Sequence, residues 1–150
     1  METAKEEYRV VTDKKQLSVE AIHEMLVNES YWARNRSVAQ VRRSLETSLC
    51  FGLFHGKNQI GFARVVTDGV TVFYLCDVII TEKYRGQGLG KMLLDAVFSS
   101  AELQGLLGLL MTKSAHGLYR RYGFKSCEEC RERFMLLGSG WHRQEPDSHG

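Results

Sequence analysis

Three segments rich in Val, Ile, Phe and Tyr follow one another almost without spacers, over residues 49–54, 59–66 and 70–80. Gly56-Lys57-Asn58 and Asp68-Gly69 separate them, and these residue types fold a chain straight back on itself. Segments joined this closely can pair only antiparallel, because a parallel return needs a crossover of a dozen or more residues. The centre of the chain is therefore expected to be a three-stranded antiparallel meander. Every other element must extend that sheet or cover it.

The flanking segments sort by period. Residues 8–11 form a short strand candidate. Ser18 opens a helical pattern carrying Val19, Ile22, Met25 and Leu26 on one face. Ser37 with Gln40 makes a capping box ahead of Val38, Val41 and Leu45. After Ile80 the order becomes loop, helix (89–101), short buried strand (106–111), helix and strand. Ser114 is read as the cap of a helix reaching Tyr122, ended by Gly123, and residues 133–137 as a final strand. The sum is an α+β fold: two helices, the meander, a β-α-β crossover and a closing hairpin. Residues 1–138 are expected to be a single domain, and 139–150, which hold the only proline, a flexible C-terminal tail.

Composition narrows the function. With 150 residues, 43% hydrophobic and 25% charged, the chain can bury a core without staples. No run approaches the roughly 20 apolar residues that span a bilayer, and the charged start is no signal peptide, so a cytoplasmic protein without membrane contact is expected. Twenty basic and 18 acidic residues are interspersed. The densest basic spots, Arg120-Arg121 and the Lys83, Arg85 and Lys91 set, are too small for nucleic acid but suit a small anion. Cys50 and Cys76 lie in apolar strands. Cys127 and Cys130 form one CxxC with no second pair at zinc-site spacing, so reduced thiols and no metal are expected.

The most informative stretch is Tyr84-Arg85-Gly86-Gln87-Gly88-Leu89-Gly90-Lys91, between a strand and a helix. Three glycines in five residues leave the backbone bare, and a helix N-terminus offers unpaired N–H donors and a positive dipole end. Arg85 and Lys91 add full charges, so the segment reads as a phosphate cradle. It is not a Walker loop, which needs glycine where Arg85 stands and Ser or Thr where Met92 stands. Nor is it the dinucleotide fingerprint, because Gly86, Gly88 and Gly90 have the wrong final spacing. What remains is Arg-x-x-Gly-x-Gly on Arg85, Gly88 and Gly90.

That motif, with Tyr119-Arg120-Arg121-Tyr122-Gly123-Phe124 downstream, resembles the GCN5-related N-acetyltransferase (GNAT) family over about residues 8–137. The resemblance implies a mixed, mostly antiparallel sheet with helices on both faces and two parallel strands that splay apart. It implies acetyl-CoA as co-substrate, with Val78, Ile79 and Ile80 along the pantetheine. Arg85, Gly86, Gln87, Gly88, Gly90 and Lys91 would surround the phosphates. Ser114 stands where many members carry a pantetheine-binding asparagine. The acceptor would be a primary amine, on a small molecule or alternatively on a protein N-terminus or lysine. A CoA-binding module without turnover is the non-enzymatic alternative, and a homodimer is compatible with the family.

The reaction needs a group to protonate the leaving thiolate, and Tyr119 resembles the family's general acid; its other reading is a helix tyrosine half buried on the sheet. A backbone N–H near Val78 or Ile79 would stabilise the oxyanion. Asp77, an acid in an apolar strand, is a general base, an anchor for a cationic acceptor, or the member of a structural ion pair. His116, one turn before Tyr119, relays protons or is structural. Cys76 as a covalent nucleophile is disfavoured, since no histidine adjoins it in sequence. Between the two N-terminal helices, Tyr31 and Trp32 either enclose the amine or lid the core, while Arg34 clamps a carboxylate or is solvated.

Overall fold

The computed structural model describes residues 7–138, so the segment expected to be a tail, 139–150, lies outside the described residues. The chain divides into two compact units, with the boundary between Ser114 and Ala115.

The first unit is built on a five-stranded sheet in the order β1 (Tyr8–Val11), β2 (Leu49–His55), β3 (Asn58–Thr67), β4 (Val72–Ile80) and β5 (Leu107–Leu110). The first three pairings are antiparallel, and β4 with β5 is parallel. The meander stands as the turn residues required. On β2 the five residues from Cys50 to Phe54 are all buried, which requires cover on both faces of the sheet.

On one face lie α1 (Val19–Glu29) and α2 (Val38–Glu46), each capped by the serine before it, Ser18 and Ser37. Ile22, Met25, Leu26, Val41 and Leu45 pack there with Cys50, Phe54, Phe62 and Ile79. The alternate sheet positions meet α3 (Leu89–Phe98), which buries Leu89, Leu93, Leu94 and Val97. Phe98 reaches the ring of Phe73 on β4, 6.4 Å between centroids.

The second unit holds α4 (His116–Arg120) and α5 (Glu128–Arg131). Helix α4 is shorter than its pattern suggests and Ser114 does not cap it; Ala115 is its first flanking residue, with no side-chain cap. Gly123, at φ 96°, turns the chain after it. Two further sequence expectations fail in this unit. Residues 133–137 form no strand: the N–H groups of Arg133 and Phe134 both donate to the carbonyl of Cys130, continuing the turn of α5. Cys127 and Cys130 are not free thiols but a disulfide. Cys127 sits at the N-cap of α5 and accepts from the N–H of Cys130, which draws the two residues to 5.1 Å between Cα atoms.

Candidate active site

The pairing of β4 with β5 runs only from Val72–Leu107 to Leu75–Leu110, whereas β4 continues along β3 as far as Ile80. Beyond Leu75 the two parallel strands part, as the resemblance implies. The register against β3 jumps from Val65–Leu75 to Arg64–Asp77, so Cys76 is an extra residue, a β-bulge where the strands separate. Past the bulge the ladder is regular, and Thr81 N–H donates to Ile60 at 2.9 Å. By the alternation of an antiparallel pair, Ile79 then turns its N–H toward β3, while Val78 and Ile80 turn theirs toward the gap. Of the two N–H groups singled out from sequence, that of Val78 is the one turned away from β3.

The corner after β4 is fixed by side chains from three directions. Glu29, at the end of α1, accepts from the hydroxyl of Thr81 (2.8 Å) and the N–H of Glu82 (2.7 Å). The Tyr84 hydroxyl meets Nδ1 of His55 on β2 at 2.8 Å. Arg85 Nε donates to the carbonyl of Ile80 at 2.8 Å. From this held corner the chain passes through Gly86 (φ 79°) and Gly88 (φ 78°), left-handed conformations that cost an L side chain about 1–2 kcal/mol. Gly88 is the N-cap of α3 and offers no side chain to the helix's first N–H groups. A methyl group added at Gly86, Gly88 or Gly90 would meet nothing within 4 Å, so this surface faces open space. Lys91 lies along the helix with its ammonium 2.9 Å from Asp95.

Asp77 is completely buried. Its Oδ2 accepts from Arg64 Nε at 2.7 Å and Arg36 at 2.8 Å, and its Oδ1 from the indole N–H of Trp32 at 2.7 Å. Burial pushes the carboxyl pKa up, but Arg64 and Arg36 outweigh it and hold it below the usual carboxylate range. Both oxygens are engaged and two guanidinium groups favour the ionised form, which is the ion-pair reading of Asp77 that the sequence left open beside a general base. Asp77 fastens the loop between α1 and α2 onto β4. Arg64 also donates to Ser48 at 3.0 Å.

On that loop Tyr31 stands edge-on to Trp32, 5.0 Å between ring centroids, and Lys113 places its ammonium 4.5 Å from the Tyr31 centroid. Arg34 Nε donates to the carbonyl of Ser30 at 3.1 Å.

In the second unit, His116 begins α4 and Tyr119 lies within it, buried and edge-on to Phe124 at 6.0 Å. The Phe124 N–H donates to the Tyr119 carbonyl at 3.3 Å, so the spacing of Tyr-x-x-x-Gly-Phe follows from a helix closed by a glycine turn.

A strand that parts from its parallel neighbour and leads into a glycine cradle is the arrangement the two sequence motifs implied. Residues 46–126, more than half of the chain, match the acetyltransferase (GNAT) domain. The chain belongs to the GNAT family of acetyltransferases. A Gibberella zeae protein named provisionally as an acetyltransferase is 30% identical over 147 residues, covering 82% of each chain. A Xanthomonas campestris pv. campestris crystal structure assigned to the GNAT family is 39% identical, with a TM-score of 0.83 over 89% of this chain and 95% of that one. An aminoglycoside N-acetyltransferase solved in complex with CoA shares the fold at 16% identity, with a TM-score of 0.61 over 87% and 92% of the two chains.

GNAT acetyltransferases use acetyl-CoA, and this member's residues fit it on two counts. An extended pantetheine can pair with the open main chain of β4, and the bare surface at Gly86, Gly88 and Gly90 leaves room for phosphates at the start of α3. The residues that sequence reasoning missed in this acetyltransferase are Arg64, Arg36, Glu29 and His55. Arg64 was detectable: it and Asp77 are the lone charges of adjacent antiparallel strands.

Proposed function

We propose that the protein transfers an acetyl group from acetyl-CoA to the primary amine of a small molecule by direct attack in a ternary complex. The observation that carries this reading is the parting of β4 from β5 beyond Leu75, ending in the glycine cradle at the start of α3. Val78, Ile79 and Ile80 line the pantetheine, with Ser114 as a further contact. Arg85, Gly86, Gln87, Gly88, Gly90 and Lys91 surround the pyrophosphate, and the ties from Glu29, His55 and Ile80 hold that loop in place before the ligand arrives.

Acetyl-CoA supplies an activated acyl thioester and a thiol leaving group of ordinary pKa near 8–9. The Val78 N–H, turned toward the gap, donates to negative charge on a carbonyl oxygen without reorganisation. Tyr119 protonates the departing sulfur, and His116 is the neighbouring group suited to restore its proton. Direct attack is supported over a covalent route by Cys76, whose thiol pKa burial pushes up, against what a nucleophile requires. A small acceptor is supported by the loop of Tyr31 and Trp32, which Asp77 ties down onto β4.

The test is to supply the purified protein with acetyl-CoA and a panel of small amines and peptides, following free thiol and acetylated product together. Thiol release matched by N-acetylated small amine is the expected result. Turnover confined to peptides would overturn the small-molecule assignment, and an isolable acetyl-enzyme would overturn direct attack.

A further inference from the structure

The charges around the acceptor loop bear on what the amine carries, an inference that rests on the small-molecule acetyltransferase reading. Tyr31 is the exposed aromatic there, yet its ring is already engaged by a cation of the protein, the Lys113 ammonium. The Trp32 indole N–H is spent on Asp77. Asp77, in turn, is neutralised twice over by Arg36 and Arg64. Arg34 has its Nε on the Ser30 carbonyl and pairs with no carboxylate among the described residues. These aromatics are therefore not a cage awaiting a cationic guest; they sit among Arg34, Arg36 and Lys113, with a single buried carboxylate to offset them.

This positive surrounding does three things at once. It repels polycations. It lowers the pKa of a nearby ammonium, because like charges disfavour the charged form, and so helps an amine arrive neutral where Asp77 cannot take its proton. It attracts an anionic group elsewhere on the acceptor, and the planar fork of a guanidinium suits a carboxylate. The acidic alternative lies beside α1, where Glu24 and Glu29 line a cavity of about 320 Å³, but both oxygens of Glu29 are committed to Thr81 and Glu82.

We propose that the acceptor is a small primary amine bearing a carboxylate, and that Arg34 and Lys113 receive that carboxylate. The experiment compares kcat/KM of the full chain for matched pairs: amino acids against their decarboxylated amines, with O-phosphoethanolamine and spermidine as further arms. The carboxylated member of a pair is expected to be preferred by about tenfold or more, the usual scale of one charge-assisted contact. In Lys113→Met and Arg34→Gln the preference should shrink toward unity, while calorimetric binding of acetyl-CoA shows that the variants are folded. Equal or better turnover of the decarboxylated amines or of spermidine overturns the proposal, as does preference for the phosphate-bearing amine. Acetylation of peptides but of no small amine would instead overturn the reading on which it rests.

Discussion

The indole N–H of Trp32 donates to Oδ1 of Asp77 at 2.7 Å, joining residues 45 positions apart and fastening the loop between α1 and α2 to the strand that leads into the glycine cradle. Replacing Trp32 by Phe keeps the packing against the core but removes the one donor to that oxygen among the described residues. An unpaired buried acceptor costs about 1–3 kcal/mol. The variant should melt at lower temperature, and its kcat/KM for the amine should fall more than its affinity for acetyl-CoA, as steady-state kinetics and calorimetry would report.

Asp77→Asn should be the most damaging conservative change in the first unit. It strands Arg36 and Arg64 without a counter-ion, a loss of about 3–5 kcal/mol for a broken buried pair. Its pH signature follows from linkage. The folded state holds the Asp77 pKa below its ordinary value, so the unfolded chain binds the proton more readily. The resulting stabilisation is present above the unfolded pKa of about 3.9 and is lost as pH falls toward the folded value. Urea denaturation from pH 6 down to pH 3 should therefore be less pH-dependent in the variant than in the wild type.

Gly88 and Gly90 separate backbone strain from ligand clearance. Gly88→Ala forces an L residue to φ 78° and should destabilise by about 1–2 kcal/mol. Gly90 lies inside α3 without a left-handed φ, and a methyl there meets nothing. Gly90→Ala should raise stability by about 0.5–1 kcal/mol through helix propensity. It should nonetheless weaken acetyl-CoA, because the methyl takes up open space at the loop proposed to hold the phosphates. Thermal melts alongside calorimetric titration of both variants would show the two effects moving in opposite directions for Gly90→Ala.

Tyr119→Phe removes one hydroxyl and leaves the ring that meets Phe124. With Tyr119 as the general acid, kcat should drop by about tenfold or more while acetyl-CoA binding changes little. A wild-type kcat would shift that role elsewhere.

The fold was largely legible because its signals are local. Ser18, Ser37 and Gln40 announce their helices, and Gly56-Lys57-Asn58 and Asp68-Gly69 announce their turns, so the meander needed no long-range information. The misread segments are those whose state depends on something beyond themselves. Residues 133–137 have a strand's composition, but a strand exists only with a partner, and here the first two amides serve the turn of α5. In the candidate site, the glycine loop was visible as a motif. The role of Asp77 was not, because three of its partners' donors come from the α1–α2 loop and from β3.

The gap beyond Leu75 also has a consequence for how this strand tolerates substitution. Along Val78 and Ile80 the proposed pantetheine contacts are main-chain groups, and every residue except proline supplies the same ones. Those groups stay in place under a change of the Val78 side chain so long as the strand keeps its bulge and its pairing with β3. On a surface of that kind the geometry of the sheet, rather than the spelling of the strand, sets what a ligand meets.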